Sequence, residues 1–366
     1  MPNKPEIRVL VCPLNWGLGH ATRCVPVIKL LISNGFRVFI ATDGLPLNFL
    51  KSEFPGLDTI TFPGFSPSYP KGRKLVLKML FAAPSFLTGI IQEHRKLRQI
   101  IKSLNINIVV SDNRYGLWNR QVKSIMIIHQ IMVKAPRGFK LFEPLFYMVN
   151  KLMINRFDEC WIPDLPEQGN LSGDLSHKYP LPRNAHFIGW LSRFSSGEQA
   201  DKQKNGLVAV LSGPEPQRTI LEQQLIKALS TSSMSCTLVL GKPGNGMASE
   251  SINGIRLIPH LATNEMETML KEASLVICRP GYTTIMDLAA IGARALFIPT
   301  PGQTEQEYLA EYLYENGYYY YVKQDELRLP HHLQKATIYP GVKNSGDPHL
   351  LIERVEKLKQ HFKMPS

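Results

Sequence analysis

Apolar runs, glycine turns and amphipathic stretches alternate twice along the chain. Residues 7–13 (IRVLVCP) form a near-continuous apolar run, as in strands that are buried on both faces of a parallel sheet. A glycine-rich turn follows at 15–20, a helical pattern occupies 21–34, and residues 36–42 (FRVFIAT) predict a second strand. Further apolar runs predict more strands of the same sheet, at 106–111, 124–129 and 159–163. This order is typical of a doubly wound α/β domain.

The same order restarts after a polar segment, residues 190–206, which lacks periodicity and is typical of a linker. The later pattern predicts strands and helices at 207–212, 217–229, 236–240, 255–259, 275–278, 283–291, 295–299 and 349–362. We therefore predict two Rossmann-like α/β domains that face each other across a cleft. The first spans 1–190, the linker 191–206, the second 207–348, and a closing C-terminal helix 349–366.

Composition adds an unusual charge to this picture. The 366 residues are 44% hydrophobic and 20% charged, which suits two domains with real cores, but the formal net charge is +12. Residues 71–102 carry eight Lys or Arg and one Glu, and residues 134–156 carry five and one. Both stretches are also apolar. Such a surplus favours phosphate-bearing partners: anionic lipid, nucleic acid or phosphorylated small molecules.

Several protein classes are not expected. The five cysteines are scattered without a CxxC pair, as in a cytoplasmic protein with reduced thiols. Pro13, Asn15 and Gly17 interrupt the early apolar run, so we expect no signal peptide. The longest uncharged apolar segment, 79–91, contains Pro84 and is shorter than the roughly 20 residues that a membrane-spanning helix needs. We therefore expect a cytoplasmic protein that does not span a membrane.

Two segments of the second domain carry candidate chemistry. In residues 278–287 (CRPGYTTIMD), a strand leads through a glycine turn into a helix whose positive end favours a phosphate. Asp287 lies one turn into that helix, where it could accept hydrogen bonds from a ribose diol. The alternative is an ordinary junction, capped by Thr283. In residues 299–310 (PTPGQTEQEYLA), Glu305 and Gln306 begin a helix; they could hold a polyhydroxylated ligand or belong to a simple capping box.

Residues 275–310 resemble the C-terminal half of the nucleotide-sugar site in GT-B fold glycosyltransferases. They are most similar to family 28, which includes the bacterial transferase that adds N-acetylglucosamine to lipid I. The matching positions are Arg279, Gly281, Thr284, Asp287, Pro299, Pro301 and Gln306. The resemblance implies a substrate-binding set in which Asp287 binds ribose, Glu305 and Gln306 hold the sugar, and backbone at Leu261 meets the uracil. The resemblance also implies that Gly281, Tyr282 and Thr283 face the diphosphate. Arg279 is included in the substrate-binding set because it occupies a position of the family motif.

Two glycine loops agree with this resemblance in part. Residues 212–218 (SGPEPQR) follow the first strand of the second domain, where the family has a phosphate loop around a glycine such as Gly213. Two prolines remove N–H donors there, and Arg218 either supplies positive charge or is a solvated helix residue. Residues 241–246 lack a full Walker spacing and are interpreted as a loop. In the first domain, Gly17 and Gly19 resemble the family's N-terminal loop.

Candidate bases lie in the first domain. His20 follows that loop and has a side chain that titrates in the useful range; it is either the base or a helix-cap residue. Asp112 ends a parallel strand at the edge of the cleft, as a second candidate base or as a turn residue. His129 ends another strand and either lines the acceptor side or is an interior histidine.

We therefore predict a metal-independent, inverting transfer of N-acetylglucosamine or a related hexose from a UDP-sugar to a glycan or lipid-linked acceptor. No Asp-x-Asp element stands in a suitable loop, so we expect no metal. We also expect no cofactor, because the UDP-sugar is a substrate. The basic, apolar residues 71–81 and 139–147 either lie on an anionic leaflet, at the inner face of the cytoplasmic membrane, or pack as amphipathic core helices. Nucleic acid is not an expected partner. A UDP-sugar epimerase and a non-catalytic sugar-nucleotide or lipid-binding protein remain as alternatives.

Overall fold

The computed structural model describes residues 6–64, 75–135, 138–195, 206–231, 234–242, 249–342 and 346–362, with the backbone alone for 75–84. The strands of the first half are β1 (Arg8–Pro13), β2 (Arg37–Thr42), β3 (Asp58–Thr61), β4 (Ile108–Asp112), β5 (Lys123–Ile127), β6 (Glu159–Ile162) and β7 (Ala185–Phe187). Its helices are α1 (Gly19–Ser33), α2 (Gly44–Glu53), α3 (Leu75–Leu104), α4 (Glu143–Ile154) and α5 (Asp174–His177). A short 3-10 turn, Lys140–Phe142, leads into α4.

The second half repeats this alternation. Its strands are β8 (Leu207–Val210), β9 (Cys236–Val239), β10 (Glu250–Ile252), β11 (Ile255–Ile258), β12 (Leu275–Cys278), β13 (Ala295–Phe297) and β14 (Tyr320–Tyr321). Its helices are α6 (Gln217–Ser230), α7 (Thr263–Glu272), α8 (Tyr282–Ala290), α9 (Thr304–Glu315), α10 (Leu329–Ala336) and α11 (His349–His361). A 3-10 turn, Gln324–Glu326, precedes α10.

Each half forms a seven-stranded sheet with the order expected of a doubly wound domain. The first sheet runs β3-β2-β1-β4-β5-β6-β7, and the strand pairs of this sheet are parallel. The second runs β10-β11-β9-β8-β12-β13-β14; among the described strands of this sheet, the edge pair β10–β11 is antiparallel and the other pairs are parallel. The central strands β1, β4 and β12 are buried apolar runs because helices cover both of their faces.

Strand order reverses at one place in each sheet, between β1 and β4 and between β8 and β12. Ligands of open α/β sheets bind at such switch points, outside the carboxyl ends of the strands. In the first sheet, Pro13 at the end of β1 lies opposite Asp112 at the end of β4. The two switch points face each other, because the start of α1 contacts the start of α8 through Gly19 and Thr283.

One buried apolar cluster joins the two halves, with members that include Ile28 of α1, Leu288 of α8 and Val355 of α11. The C-terminal helix α11 returns to the first sheet, where Arg354 donates to the Glu159 carboxylate of β6 at 2.5 Å. This shared core packs the two halves against each other. Among the described residues, no helix is both long and apolar enough to cross a bilayer.

The α/β architecture predicted from the sequence is confirmed, and most predicted elements lie within a few residues of the observed ones. Short edge strands such as β3, β7, β10 and β14 were not predicted, because few residues carry their pattern. Of the two basic, apolar stretches, residues 75–102 lie in α3 and residues 143–154 form α4. Residues 71–74, 196–205 of the linker and 243–248 of the glycine loop lie outside the described residues.

Candidate active site

The first-domain side of the cleft holds a buried group of charged side chains at the β1–β4 switch point. Asp112 ends β4 and is fully buried. His20, in the first turn of α1, places Nδ1 2.7 Å from Asp112 Oδ1. One turn later, Arg23 donates from Nε to Asp112 Oδ2 at 2.5 Å and from Nη2 to Asp112 Oδ1. The two candidate bases, His20 and Asp112, are therefore in direct contact, and the Arg23 guanidinium binds the Asp112 carboxylate as well.

The group continues across the cleft into the second domain. Arg23 Nη1 lies 2.9 Å from His129 Nδ1, and His129 Nε2 lies 2.9 Å from Glu305 Oε1 at the start of α9. The His129 ring stacks on Tyr282 of α8, with ring centroids 4.3 Å apart and planes 3° from parallel. Ser176 also donates to the His129 carbonyl at 2.6 Å. His129 is thus held rigidly between the two domains.

Electrostatics set the ionisation of this group. Burial lowers the pKa of His20, and the Arg23 cation lowers it further against the opposing effect of Asp112. Burial would raise the pKa of Asp112, but Arg23 and His20 outweigh it and hold that pKa well below its usual range. Burial would also raise the pKa of Glu305, and His129 with Arg23 brings it below its usual value. At neutral pH, His20 is therefore neutral beside two carboxylates that are ionised.

The second-domain side is built from the start of α8. Gly281 caps this helix, and Thr283 Oγ1 donates to the Gly19 carbonyl at 3.1 Å. A Cβ at Gly19 would lie 3.3 Å from Thr283 Oγ1, so glycine allows the two helix starts to approach closely. Tyr282 donates to the Pro163 carbonyl at 2.9 Å. The N-terminal N–H groups of α8 are therefore brought next to His20 and its helix.

Asp287 lies one turn into α8 and is buried. Its Oδ1 accepts a hydrogen bond from Ser192 Oγ at 2.7 Å and one from the Arg193 N–H at 3.3 Å. Burial raises the pKa of Asp287, although Arg193 and Ser192 act in the opposite direction. Arg193 Nε is 3.7 Å from Oδ2, a longer approach than those around Asp112. Asp287 therefore has weaker charge compensation than Asp112.

The predicted sugar-binding pair is divided between two environments. Glu305 faces the first domain through His129, as described above. Gln306 is buried, and its Oε1 accepts from the Thr300 N–H at 2.9 Å. Gln306 therefore shapes the loop after β13, whereas Glu305 lies at the cleft with the charged group.

Two arginines of the predicted set take supporting positions. Arg279 is fully buried and donates from Nη1 to the carbonyls of Ile298 and Pro299, at 2.8 and 2.9 Å. Burial lowers the pKa of Arg279 to about 10. Arg218 donates to Glu222 at 2.7 Å and also pairs with Glu215. Both guanidinium groups are therefore bonded to protein atoms, and their predicted membership of the substrate-binding set stays a prediction.

The remaining predicted positions are in loops. Gly17 (φ +76°) and Gly213 (φ +104°) adopt the left-handed backbone conformation in the turns after β1 and β8, where other residues would be strained. Leu261 lies between β11 and α7 and is half-buried. Within the described ranges, no three His, Cys, Asp or Glu side chains form a group that could hold a metal ion.

Sequence reasoning missed two contributors to this site. Arg23 stands in a helical pattern, where a charged residue is normally expected on the solvent face, yet it is only 1% exposed. Ser192, in the segment interpreted as a linker, binds Asp287. A charged residue one helical turn after a candidate base was the available signal for Arg23, because residues three apart share a helix face.

Comparison with known proteins bears on the family and the fold of this chain. Residues 255–359 match the model of the Glycosyltransferase family 28 C-terminal domain. An uncharacterized glycosyltransferase of Methanosarcina mazei is 23% identical over 335 residues, which cover 86% of this chain and 84% of that protein. A transferase of Histophilus somni is 40% identical over 88 residues, 24% of this chain and 23% of its own. It is named UDP-N-acetylglucosamine--N-acetylmuramyl-(pentapeptide) pyrophosphoryl-undecaprenol N-acetylglucosamine transferase.

Solved structures share the whole architecture. The spinosyn rhamnosyltransferase SpnG superposes with a TM-score of 0.62 at 14% identity and covers 96% of both chains. MurG of Acinetobacter baumannii superposes with a TM-score of 0.52 at 17% identity, over 98% of this chain and 95% of its own. The two Rossmann-like domains therefore form the GT-B fold, and the resemblance to family 28 stated from residues 275–310 is confirmed.

Proposed function

We propose that this chain, a glycosyltransferase of the GT-B type similar to family 28, moves a hexose from a UDP-sugar to an acceptor hydroxyl. N-acetylglucosamine or a related sugar is the proposed hexose. The observation that carries this proposal is the approach of His20, paired with Asp112, to the N-terminus of α8 across the cleft. A base on one side and a phosphate-binding helix end on the other are the two parts that displacement at an anomeric carbon needs.

Names of similar proteins support the nucleotide donor. The Histophilus somni transferase is named for UDP-N-acetylglucosamine, and its similarity to this chain is confined to 88 residues. SpnG is also known in complex with thymidine diphosphate, in a structure that superposes with a TM-score of 0.59. Both facts concern those proteins. They make a nucleoside diphosphate the first ligand to test on this chain.

In the proposed reaction, the oxygen of the acceptor hydroxyl forms a bond to the anomeric carbon while the bond from that carbon to the β-phosphate oxygen breaks. The acceptor proton passes to His20 Nε2, and the bonding electron pair leaves with UDP. Asp112 accepts the Nδ1–H of His20 and stabilises the imidazolium that forms. Attack opposite the leaving group inverts the configuration of the sugar. No cofactor takes part, because UDP-sugar is itself a substrate.

The departing diphosphate would lie against the first N–H groups of α8, at Tyr282 and Thr283. Unpaired N–H groups and the helix dipole stabilise negative charge at such a position. We propose that they act in place of a metal ion. Glu305 would hold hydroxyls of the sugar, and Asp287 would hold the ribose of the nucleotide.

The test combines binding with turnover. We expect calorimetry to detect binding of UDP, and transfer from UDP-N-acetylglucosamine or another UDP-hexose to acceptors in a membrane extract. His20→Ala should lower kcat by about 10²–10⁴ while UDP binding persists. His331→Ala, an exposed histidine on α10, is the matched control and should retain activity.

Two results would overturn the proposal. Conversion of the UDP-sugar into an isomer without any acceptor would identify an epimerase. Binding of UDP without turnover on any lipid or glycan extract would identify a binding protein.

We also propose that α4 docks on an anionic membrane, where a lipid-linked acceptor would be presented. The 3-10 turn with the residue before it and α4 expose large apolar side chains, namely Phe139, Leu141, Phe142, Leu145, Met148, Val149 and Leu152. The last four lie three and four residues apart, so they share one helix face. Leu141 is 92% exposed, although a lone leucine would usually be partly covered. A face of this kind marks an interaction surface.

Charge selects the proposed occupant of this α4 face. Lys140 and Arg156 are exposed at its two ends, and Lys151 lies within α4. The acidic residue of this helix, Glu143, is buried and paired with Lys178 at 2.8 Å. Apolar side chains bordered by cations, with the local acid turned inward, suit anionic lipid head groups above an acyl layer.

Vesicle sedimentation tests the α4 face. We expect binding to vesicles of phosphatidylglycerol, weaker binding to phosphatidylcholine, and weakening by added salt. Leu145→Gln with Leu152→Gln should lower vesicle affinity by about 10-fold or more, because each leucine contributes up to about 1.5–3 kcal/mol when buried. Ile338→Gln is the control, since Ile338 is 78% exposed on the second domain. Equal loss in the control and the α4 variant would contradict this docking face.

A further inference from the structure

Arg23 is a buried cation with two kinds of partner. Its Nε and Nη2 donate to the two oxygens of Asp112, and its Nη1 points at His129 Nδ1, 2.9 Å away. Burying a guanidinium is unfavourable unless its donors are paired, so this arrangement has to be maintained by the surrounding fold. The partners come from β4 and from the loop after β5, and His129 in turn contacts the second domain.

Arg23 and Asp112 together determine the tautomers of the two histidines, Arg23 that of His129 and Asp112 that of His20. A guanidinium only donates, so His129 Nδ1 must accept, and the ring hydrogen of His129 lies on Nε2 and points to Glu305 Oε1. His20 Nδ1 lies 2.7 Å from Asp112 Oδ1 and 2.9 Å from Arg23 Nη2. The contact with the carboxylate is the shorter of the two and a carboxylate only accepts, so the His20 hydrogen lies on Nδ1. His20 Nε2 is then unprotonated, which is the form that a base requires.

The charges of this group favour proton uptake at His20. With both histidines neutral, Arg23 contributes one positive charge, while Asp112 and Glu305 contribute two negative ones. A proton received by His20 makes the group neutral, which is favourable in a buried site of low dielectric. Without Arg23 the resting group would carry two negative charges, and His20 would bind a proton before the acceptor arrives.

We propose that Arg23 is a positioning residue that ties the base His20 to the donor-side carboxylate Glu305, through Asp112 on one side and His129 on the other. This inference rests on the proposed function, because it assigns the base. One end of this chain of contacts lies in each domain, because His20 begins α1 and Glu305 begins α9. Donor binding at Glu305 and proton transfer at His20 are thereby coupled.

The surroundings of His20 define the expected pH dependence. Charged and titratable groups reach it from its own helix (Arg23), from β4 (Asp112), from the loop after β5 (His129) and from α9 (Glu305). Cys24 lies against Asp112, with Sγ 3.5 Å from Oδ2. Burial and Arg23 lower the pKa of His20, and Asp112 raises it. Without Arg23, the Asp112 carboxylate would therefore raise the pKa of His20 with less opposition.

Nitrogen NMR of the imidazole rings, with ¹⁵N-labelled histidine in the full chain, measures tautomer and titration without any turnover. We expect His129 with a hydrogen on Nε2 and His20 with a hydrogen on Nδ1. In Arg23→Gln, the titration midpoint of His20 should rise by about 1–3 pH units, because an opposing cation is removed at contact distance. Arg23→Lys keeps the charge and should shift the midpoint less.

Turnover gives a second readout. The acid limb of the kcat/KM profile should move to higher pH in Arg23→Gln, in step with the NMR midpoint. Glu305→Gln removes a negative charge and should move this limb to lower pH, while raising the KM for the donor. Arg37→Gln, an exposed arginine at the start of β2, is the control and should move neither. A purely structural role of Arg23 would reduce activity at every pH without moving the limb.

Two outcomes overturn the inference: an unchanged His20 midpoint in a folded Arg23→Gln protein, or a His129 hydrogen on Nδ1. If Arg23→Gln does not fold, two other variants still test the inference. The titration midpoint of His20 should rise slightly in Arg23→Lys and fall in Glu305→Gln. Failure of the proposed function looks different. In that case the wild-type protein transfers no sugar, yet the tautomers and the NMR shifts remain as expected.

Discussion

Two buried aspartates, one on each side of the cleft, are in opposite electrostatic states. Asp112 on the first domain has a pKa held well below its usual range, because Arg23 and His20 outweigh the effect of burial. Asp287 on the second domain has a raised pKa, because burial outweighs Arg193 and Ser192. Both side chains are almost inaccessible to solvent. Burial alone therefore does not decide the ionisation of a carboxylate.

The difference lies in the distance and geometry of the nearest cation. Arg23 binds Asp112 with two N–H groups, one of them at 2.5 Å. Arg193 approaches Asp287 only to 3.7 Å and does not form a paired contact. A planar guanidinium that binds both oxygens compensates a buried charge far better than one at a distance.

This contrast indicates two roles. Asp112 is already satisfied by the protein and is suited to hold His20 in place. Asp287 has unused capacity to accept hydrogen bonds, and the hydroxyls of a ribose would supply the missing donors. A carboxylate that is incompletely compensated in the empty protein is typical of a ligand-binding site. Three substitutions test this comparison.

The largest effect is expected at the satisfied carboxylate. Asp112→Asn leaves Arg23 buried without its anion and removes the group that orients His20. We expect the free energy of unfolding to fall by about 3–5 kcal/mol and kcat to fall by about 10²–10⁴. Urea unfolding and initial rates measure the two effects. Asp174→Asn, which breaks the pair between the exposed Asp174 carboxylate and the half-buried Lys134, should change stability by about 1 kcal/mol or less.

The stabilising effect of Asp112 should disappear in acid. Because its folded pKa lies below its unfolded pKa, ionised Asp112 stabilises the fold above about pH 4, and this contribution is lost as the pH falls toward the folded pKa. The stability difference between wild type and Asp112→Asn should therefore shrink below pH 4. A difference that stays constant down to pH 2 would contradict the assigned ionisation.

An intermediate effect, with the opposite sign in stability, is expected at Asp287. Asp287→Asn removes a poorly compensated charge, so stability at pH 7 should be unchanged or higher. Affinity for UDP should fall by about 10- to 100-fold, since a hydrogen bond to a charged group contributes about 1.5–3 kcal/mol. Thermal unfolding and calorimetry with UDP separate these results. Loss of stability with unchanged UDP affinity would assign Asp287 to the fold alone.

The pH dependence of Asp287 should also be reversed. An acid with a raised folded pKa destabilises the fold as the pH rises through the interval from its unfolded pKa, about 4, to its folded pKa. The stability of Asp287→Asn relative to wild type should therefore increase across that interval. A gain in the relative stability of Asp287→Asn on acidification would show that Arg193 and Ser192 outweigh burial at this position.

The second-domain edge could be predicted because its signal is local. A strand, a glycine turn, two threonines and Asp287 stand within residues 278–287, and short-range pattern is enough to place them at a helix start. The two parallel sheets were predicted for the same reason, since buried strands appear as apolar runs. Arg279 shows the limit of such a motif: its position was predicted, but its full burial depends on loops that follow β8 and β13.

The first-domain edge depends on contacts that no local pattern contains. His20 and Asp112 were each singled out, but they are 92 positions apart, and their contact follows only from the pairing of β1 with β4. His129 and Glu305 are 176 positions apart and meet only because the domains face each other in this arrangement. Arg23 completes the group from a position where helical periodicity predicts a solvent-facing charge. Long-range assembly, rather than residue type, made this group unpredictable.

The smallest effect is expected where the two edges touch. Gly19→Ala adds a Cβ 3.3 Å from Thr283 Oγ1, so one helix start must shift by a few tenths of an ångström. Alanine also restricts the unfolded chain, which contributes about 0.4–1 kcal/mol of stability, so the net change in unfolding free energy should be small. The shift should nevertheless lower kcat several-fold, because His20 and α8 must align across the cleft.

Measuring Gly19→Ala in a Thr283→Ala protein separates this alignment effect from direct obstruction of a ligand by the new methyl group. Thr283→Ala removes the hydroxyl that the new Cβ would contact, and it also removes the hydrogen bond from that hydroxyl to the Gly19 carbonyl. If the contact between the helix starts causes the loss, Gly19→Ala should reduce kcat less in the Thr283→Ala background than in wild type. Equal reductions in both backgrounds would assign the effect to the loop around Gly19 itself, because Thr283 would then have no part in it.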